Sequence, residues 1–192
     1  VAYGAAAGIG VEAVIVQNRG RDILPFLELF DGSEADEAIW CHVHLKKSLA
    51  LGPSSSGDTW RTFLMRILFG DAQRLSSAIA MVRQPHVGLV SAFDPYIMGW
   101  TDSRRLLAPF ARRFPGPLPQ HPLLFPVGNM FFTKAGVIKR MRGLFGPDYP
   151  WPNEPIANDG TVFHLIERLW PAAAAMSGLD SVFLDKADER RV

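Results

Sequence analysis

Apolar and polar positions along this chain fall into blocks that switch between a strand-like and a helix-like period. "VEAVIVQ" (11–17) is a β-branched run that predicts a strand covered on both faces. "LPFLELF" (24–30) reads as the first turns of a helix with Pro25 tolerated early, and "DGSEADE" as a polar loop. "AIWCHVHL" (38–45) alternates, with Ile39, Cys41, Val43 and Leu45 on one face and Trp40, His42 and His44 on the other. After the flexible "LGPSSSGD", "TWRTFLMRILFG" (59–70) is amphipathic. Trp60, Phe63, Leu64, Ile67 and Leu68 form its buried stripe, and Gly70 stops it. Asp71 then caps a helix running to Val82, which Pro85 ends.

"HVGLVSAF" (86–93) predicts a third strand and "DSRRLLAPFARRF" (102–114) a helix interrupted at Pro109. "PGPLPQHP" reads as an extended connector. "LLFPVGNMFFTK" (123–134) is mostly strand with a break at Gly128, and a helix from about Ala135 to Phe145 follows. "GPDYPWPNEP" is a rigid aromatic loop, "NDGTVFHLIERLW" (158–170) the last strong helix and "DKADERRV" a charged tail. Strands alternating with helices predict an α/β sheet layered with helices, whose ligands sit beyond the carboxyl ends of the strands.

Composition narrows the classes. A chain of 192 residues, 48% hydrophobic, suits one sizeable core. A formal net charge of +1 gives no bulk attraction for nucleic acid. The single cysteine, Cys41, excludes an internal disulfide. No apolar run approaches the roughly 20 residues a membrane-spanning helix needs, and no basic-then-apolar leader is present. The chain begins at Val1 in "VAYGAAAGIG", which reads as a helix tail, so the expectation is a piece of a longer fold.

Three polar clusters carry the candidate chemistry. In "NRGRD", Gly20 permits a turn or a close ligand, and Arg19 and Arg21 suit phosphate or carboxylate. Asp22 can accept from hydroxyls; the alternative is an Arg–Asp pair that tidies the turn. In "HVHLKKS", His42 and His44 share a face that Lys46 continues. Two histidines are half of a zinc site, but no third ligand has a telling spacing and Lys46 and Lys47 would repel a cation, so phosphate suits them better. In "NEPIANDGTVFHLIERL", Val162, Leu165, Ile166 and Leu169 form the core stripe, with Thr161, His164 and Arg168 on another face and Glu167 beside them. Asp159 reads either as the helix N-cap or as a general base.

"QNRGRDILPFL", "HVHLKKS", "WR" at Trp60–Arg61, "VGNMFF" and "NDGTVFHLIERL" together resemble, in that order, the rhamnan synthesis protein F family of bacterial polysaccharide assembly, over about Val11 to Trp170. The resemblance implies a divergent GT-A-type glycosyltransferase: a three-layer α/β sandwich with a mostly parallel central sheet, here lacking its first strand or strands. It implies one domain over 1–192, with a nucleotide-sugar half (1–100) and an acceptor half (101–192), working at the cytoplasmic face of the membrane alongside other domains of a longer polypeptide.

By position, the resemblance assigns Asn18, Arg19, Gly20, Arg21, Asp22, His44, Lys46 and Lys47 to the donor nucleotide. It assigns Arg61, Gly128, Asn129, Met130, His164, Glu167 and Arg168 to the cleft and acceptor, and Asp159 to the base of an inverting transfer. The implied donor is a nucleotide diphosphate sugar, dTDP-rhamnose favoured, and the acceptor a glycan or lipid-linked glycan. Two features depart from the family type: His44-Leu45-Lys46 stands where an Asp-x-Asp metal motif is usual, and Asn158-Asp159 replaces Glu-Asp. A magnesium or manganese ion is therefore disfavoured, and the nearby lysines and arginines would meet the leaving diphosphate instead. The rival expectations are a non-catalytic nucleotide- or glycan-binding domain and, weakest, a zinc hydrolase using His42 and His44.

Overall fold

The structure, a computed structural model, describes residues 10, 12–44, 56–114, 118 and 123–185. Among these, four strands form one mixed sheet in the order β1-β3-β2-β4: β1 (Ile39–His42), β2 (Val87–Ala92), β3 (Phe131–Lys134) and β4 (Asp180–Leu184). β3 runs antiparallel to both β1 and β2, and only β2 and β4 are parallel. The expected mostly parallel sheet is thus corrected. A hydrophobic strand pattern records which face is buried but not the direction of its neighbour. Strands β1 and β2, from the first half of the chain, interleave with β3 and β4 from the second.

Helices cover both faces. On one side lie α1 (Ile23–Leu29), α5 (Ala135–Leu144) and α6 (Val162–Met176), around a core that includes Leu24, Phe26, Leu89, Phe131, Met141, Ile166 and Trp170. On the other lie α2 (Ser56–Phe69) and α3 (Ala72–Val82), packing Leu64, Ile67, Leu68, Ala78 and Val82 on Val87, Val90, Met130 and Phe132. Phe131 and Phe132 serve opposite cores because successive strand residues face opposite ways. Val87 and Leu89 would share a face in a regular strand but do not, since the β2–β4 register shifts between them. Gly88 occupies that irregularity, where a Cβ would sit 2.7 Å from Leu179.

Asp71 caps α3 as its position predicts, its carboxylate accepting from the Arg74 N–H at 2.8 Å. One other expectation fails. Residues 12–17 join no strand, and Val14, Ile15 and Val16 are exposed, Ile15 completely. A β-branched run is a strand only when it pairs with a sheet edge, and this one pairs with none of the described strands. The 102–114 segment, expected as a helix interrupted at Pro109, divides just before it: a 3-10 turn (Thr101–Leu106) precedes a single helical turn, α4 (Ala108–Ala111), with Pro109 in its first positions. β4 lies in a segment whose period gave no warning.

At the amino end of β2 the buried Lys134 ammonium pairs with Glu37 at 2.6 Å and donates to the carbonyls of Gln84 and Pro85, so its charge is fully solvated by protein. The opposite end of the sheet holds the candidate site.

Candidate functional site

His42 at the end of β1 pairs with Phe131 at the start of β3, which puts the turn before β3 and the loop after β1 at the same sheet end. That turn is a 3-10 element, Val127–Asn129, with Gly128 at φ 70° and Asn129 at φ 52°. Left-handed backbone is free for glycine and tolerated by asparagine. It aims the buried Asn129 side chain, 2% exposed, into a network. Asn129 Nδ2 donates to Asp22 at 3.0 Å, and its Oδ1 accepts from Trp170 Nε1 at 2.9 Å. Its backbone carbonyl lies 2.5 Å from His42 Nδ1. A carbonyl only accepts, so His42 Nδ1 is the donor of that bond, while Nε2 lies 3.9 Å from the Asp22 carboxylate. Burial holds the His42 pKa below the ordinary histidine value against the pull of the Asp22 charge. His44 donates through Nε2 to the Gly128 carbonyl at 2.6 Å, and its other ring nitrogen is buried without a partner among the described residues.

The segment before α1 reaches the same place. Gly20 and Arg21 are both left-handed, at φ 71° and 58°. A Cβ on Gly20 would come within 2.4 Å of Leu24 and 2.8 Å of Phe163, so only glycine lets this turn lie against α6. Both arginines are tied to the aromatic loop. Arg19 donates to the Trp151 carbonyl at 2.5 Å and the Pro152 carbonyl at 3.4 Å, and Arg21 to the carbonyls of Ala157 and Asn158. The Gly20 N–H donates to Glu154 at 3.1 Å. The alternative of an Arg–Asp pair within the turn gives way to straps across more than a hundred residues of sequence. Asn18 is exposed just before the turn.

Helix α6 brings the last group. Its N-cap is Thr161, in a capping box with His164, so Asp159 is not the cap. Gly160, at φ 67°, turns the chain between them. The Thr161 N–H and hydroxyl donate to His164 Nδ1 at 3.4 and 2.8 Å, which fixes the His164 proton on Nε2. Burial, reinforced by the Arg21 charge, pushes the His164 pKa down to about 4, so the ring is neutral at pH 7.

Asp159 is half exposed, accepts from the Gly160 N–H at 2.7 Å and lies 4.0 Å from His164. Burial raises its pKa, but the Gly160 hydrogen bond and the His164 and Arg168 charges together outweigh it, leaving the carboxyl below the usual range. Glu167 behaves oppositely. Its side chain is 16% exposed and 3.6 Å from Arg168, and burial, assisted by the Asp22 charge, pushes its pKa up to about 7. Arg168 points inward, donating to the carbonyls of Gly99 and His164 with its guanidinium 4.5 Å from the Phe125 ring centre.

The residues at 19–22, 42–44, 128–129 and 159–168 therefore form one polar region. Others among the sequence candidates lie apart from it. Met130 is buried in the second core, where its carbonyl accepts from Ser91. Arg61 lines a shallow groove on α2 with Met65, Arg66 and Phe69. Lys46 and Lys47 lie outside the described residues. Among the described residues no three His, Cys, Asp or Glu side chains gather closely enough to hold a metal. Sequence reasoning passed over Asp94, which is buried at the carboxyl end of β2 and accepts from Trp60 Nε1 at 2.7 Å and the Tyr96 N–H at 2.8 Å. An aspartate ending an apolar strand was the available signal.

Comparison with known proteins gives two kinds of match. A family model described as rhamnan synthesis protein F matches residues 3–108. The uncharacterized protein WxcX of Xanthomonas campestris pv. campestris strain B100 is 29% identical over 179 residues, covering 89% of this chain and 25% of that protein. WxcX of strain ATCC 33913 is 28% identical with the same coverage. The chain thus spans about a quarter of the length of these curated relatives. No solved structure matches.

Proposed function

Because the chain belongs to the rhamnan synthesis protein F family, we propose that it serves bacterial polysaccharide synthesis as a glycosyltransferase domain. Its donor is a nucleotide diphosphate sugar, dTDP-rhamnose favoured, and its acceptor a glycan or lipid-linked glycan. The observation that carries this reading is the meeting of four distant segments in one polar region that holds a partly exposed carboxylate, Asp159, kept ionised at neutral pH. Asp159 takes the proton of an acceptor hydroxyl as that oxygen bonds to the anomeric carbon. The bond from that carbon to the diphosphate breaks, and its electron pair leaves with the nucleotide. Attack opposite the leaving group inverts the centre. The new negative charge needs donors placed where it develops. The neutral His164, with its proton on Nε2, and the half-buried Arg21 are the candidates. The Asp22 carboxylate, an acceptor still partly exposed beside His42, suits sugar or ribose hydroxyls.

One observation favours a second reading, a domain that binds nucleotide or glycan without catalysis: Arg19, Arg21 and Arg168 direct hydrogen bonds to the protein's own carbonyls rather than into open space. Release of dTDP from dTDP-rhamnose by the full-length protein separates the two. General-base loss in Asp159→Asn should lower kcat by roughly 10²–10⁴-fold with the fold intact. Stabilisation by dTDP without turnover, unaffected by Asp159→Asn, would establish the binding domain instead.

A further inference from the structure

Beyond β2 the chain carries three consecutive large apolar side chains into solvent: Tyr96, 91% exposed, then Ile97 and Met98, both exposed. Scattered surface apolar residues are ordinary, but an exposed run of three is not. Nor is it a loose tip. The Tyr96 N–H donates to buried Asp94, the Gly99 N–H to the Leu123 carbonyl at 3.0 Å, and the Gly99 carbonyl accepts from Arg168 at 3.0 Å. Trp100, directly behind, is buried. A fixed base therefore holds an apolar tip outward.

The segment that runs on from this tip is basic. Arg104, Arg105, Arg112 and Arg113 are all exposed, against one acid, Asp102, between residues 101 and 114, although Arg113 also donates to the Leu144 carbonyl and lies over the Phe110 ring. Apolar and aromatic side chains flanked by arginines are the chemistry of an interfacial site. The apolar part enters the headgroup boundary and the guanidiniums meet anionic lipid. No described helix is long and apolar enough to cross a membrane. We propose that Tyr96, Ile97 and Met98, with the exposed arginines that follow, seat this protein on an anionic lipid bilayer.

Arg105 also donates to the Gly160 carbonyl, next to Asp159. The basic segment therefore touches the loop that carries Asp159, the group a lipid-linked acceptor presented at the bilayer has to reach. That consequence rests on the glycosyltransferase reading; the seating does not.

The test is co-sedimentation of the full chain with vesicles of phosphatidylcholine alone or enriched in phosphatidylglycerol, with no substrate present. The parent should pellet with the anionic vesicles and release at high salt. Tyr96→Ser/Ile97→Ser/Met98→Ser should weaken partitioning at least about tenfold, and Arg104→Gln/Arg112→Gln about fivefold per arginine. These side chains are exposed, so circular dichroism should be unchanged. If the triple variant misfolds, Ile97→Trp replaces it, with a fluorescence blue shift expected on adding anionic vesicles and none on adding neutral ones. A parent that stays in the supernatant overturns the proposal, as do pelleting unchanged by the tip variants or a lipid-free dimer that the tip variants dissolve. Absence of sugar transfer would leave the pelleting result untouched, so the two readings fail separately.

Discussion

Asn129 joins Asp22, His42 and Trp170, so replacing it tests whether the site is braced as described. Asn129→Gly keeps the left-handed backbone and removes the side-chain bonds. The buried Trp170 N–H loses its acceptor, which costs about 1–3 kcal/mol. The hydrogen bond to Asp22, a charged partner still 23% exposed and able to rehydrate, adds roughly 1 kcal/mol. Asn129→Gly should therefore lose about 2–4 kcal/mol. Asn129→Ala loses the same bonds and must also hold φ 52° with a Cβ, which costs about 1–2 kcal/mol more. Urea unfolding followed by tryptophan fluorescence gives both values from the midpoint shift at constant m. The order matters more than the size. An alanine variant as stable as the glycine variant would refute the backbone argument, and a glycine variant within about 0.5 kcal/mol of the parent would refute the brace.

Two groups one turn apart on α6 should leave opposite marks on the pH dependence of stability. His164 is depressed in the fold to about 4, so between there and its unfolded value of 6.5 the unfolded chain binds the extra proton and stability falls as pH drops, by at most about 3 kcal/mol. Glu167 is raised to about 7 from 4.5, so the folded chain binds the extra proton and stability falls as pH rises through that window. The two effects oppose each other between pH 4.5 and 6.5. His164→Gln, which preserves the cap chemistry, should unmask a decline with rising pH, and Glu167→Gln a steeper decline on acidification; parallel profiles for both variants would contradict the burial of these groups. Gly20→Ala should destabilise by about 2–4 kcal/mol, from left-handed strain and the collision with Leu24 and Phe163. Thermal melting reads this, and an unchanged midpoint would mean the turn does not lie on α6.

Much of this was legible where one local signal sufficed. The amphipathic period gave α2, Asp71 gave the start of α3, and the short apolar run "HVGLVSAF" gave β2. Gly128 marked the break before β3 because a left-handed turn needs it. What escaped was set by distant partners. Val14–Val16 has strand composition but pairs with no described strand, and β4 is a short run whose place depends on its parallel pairing with β2. The arginines of "NRGRD" advertise anion binding, yet Arg19 and Arg21 find carbonyls of a loop more than a hundred residues away. Thr161 displaced Asp159 as N-cap because the left-handed Gly160 separates the aspartate from the helix start. That displacement leaves Asp159 half exposed.

The central claim is that the 19–22, 128–129 and 159–164 segments face one ligand, and amide NMR of the labelled protein titrated with dTDP tests it most directly. The account predicts that signals of all three segments move together along a single saturation curve. Shifts confined to one segment, or centred on the Arg61 groove of α2, would contradict it.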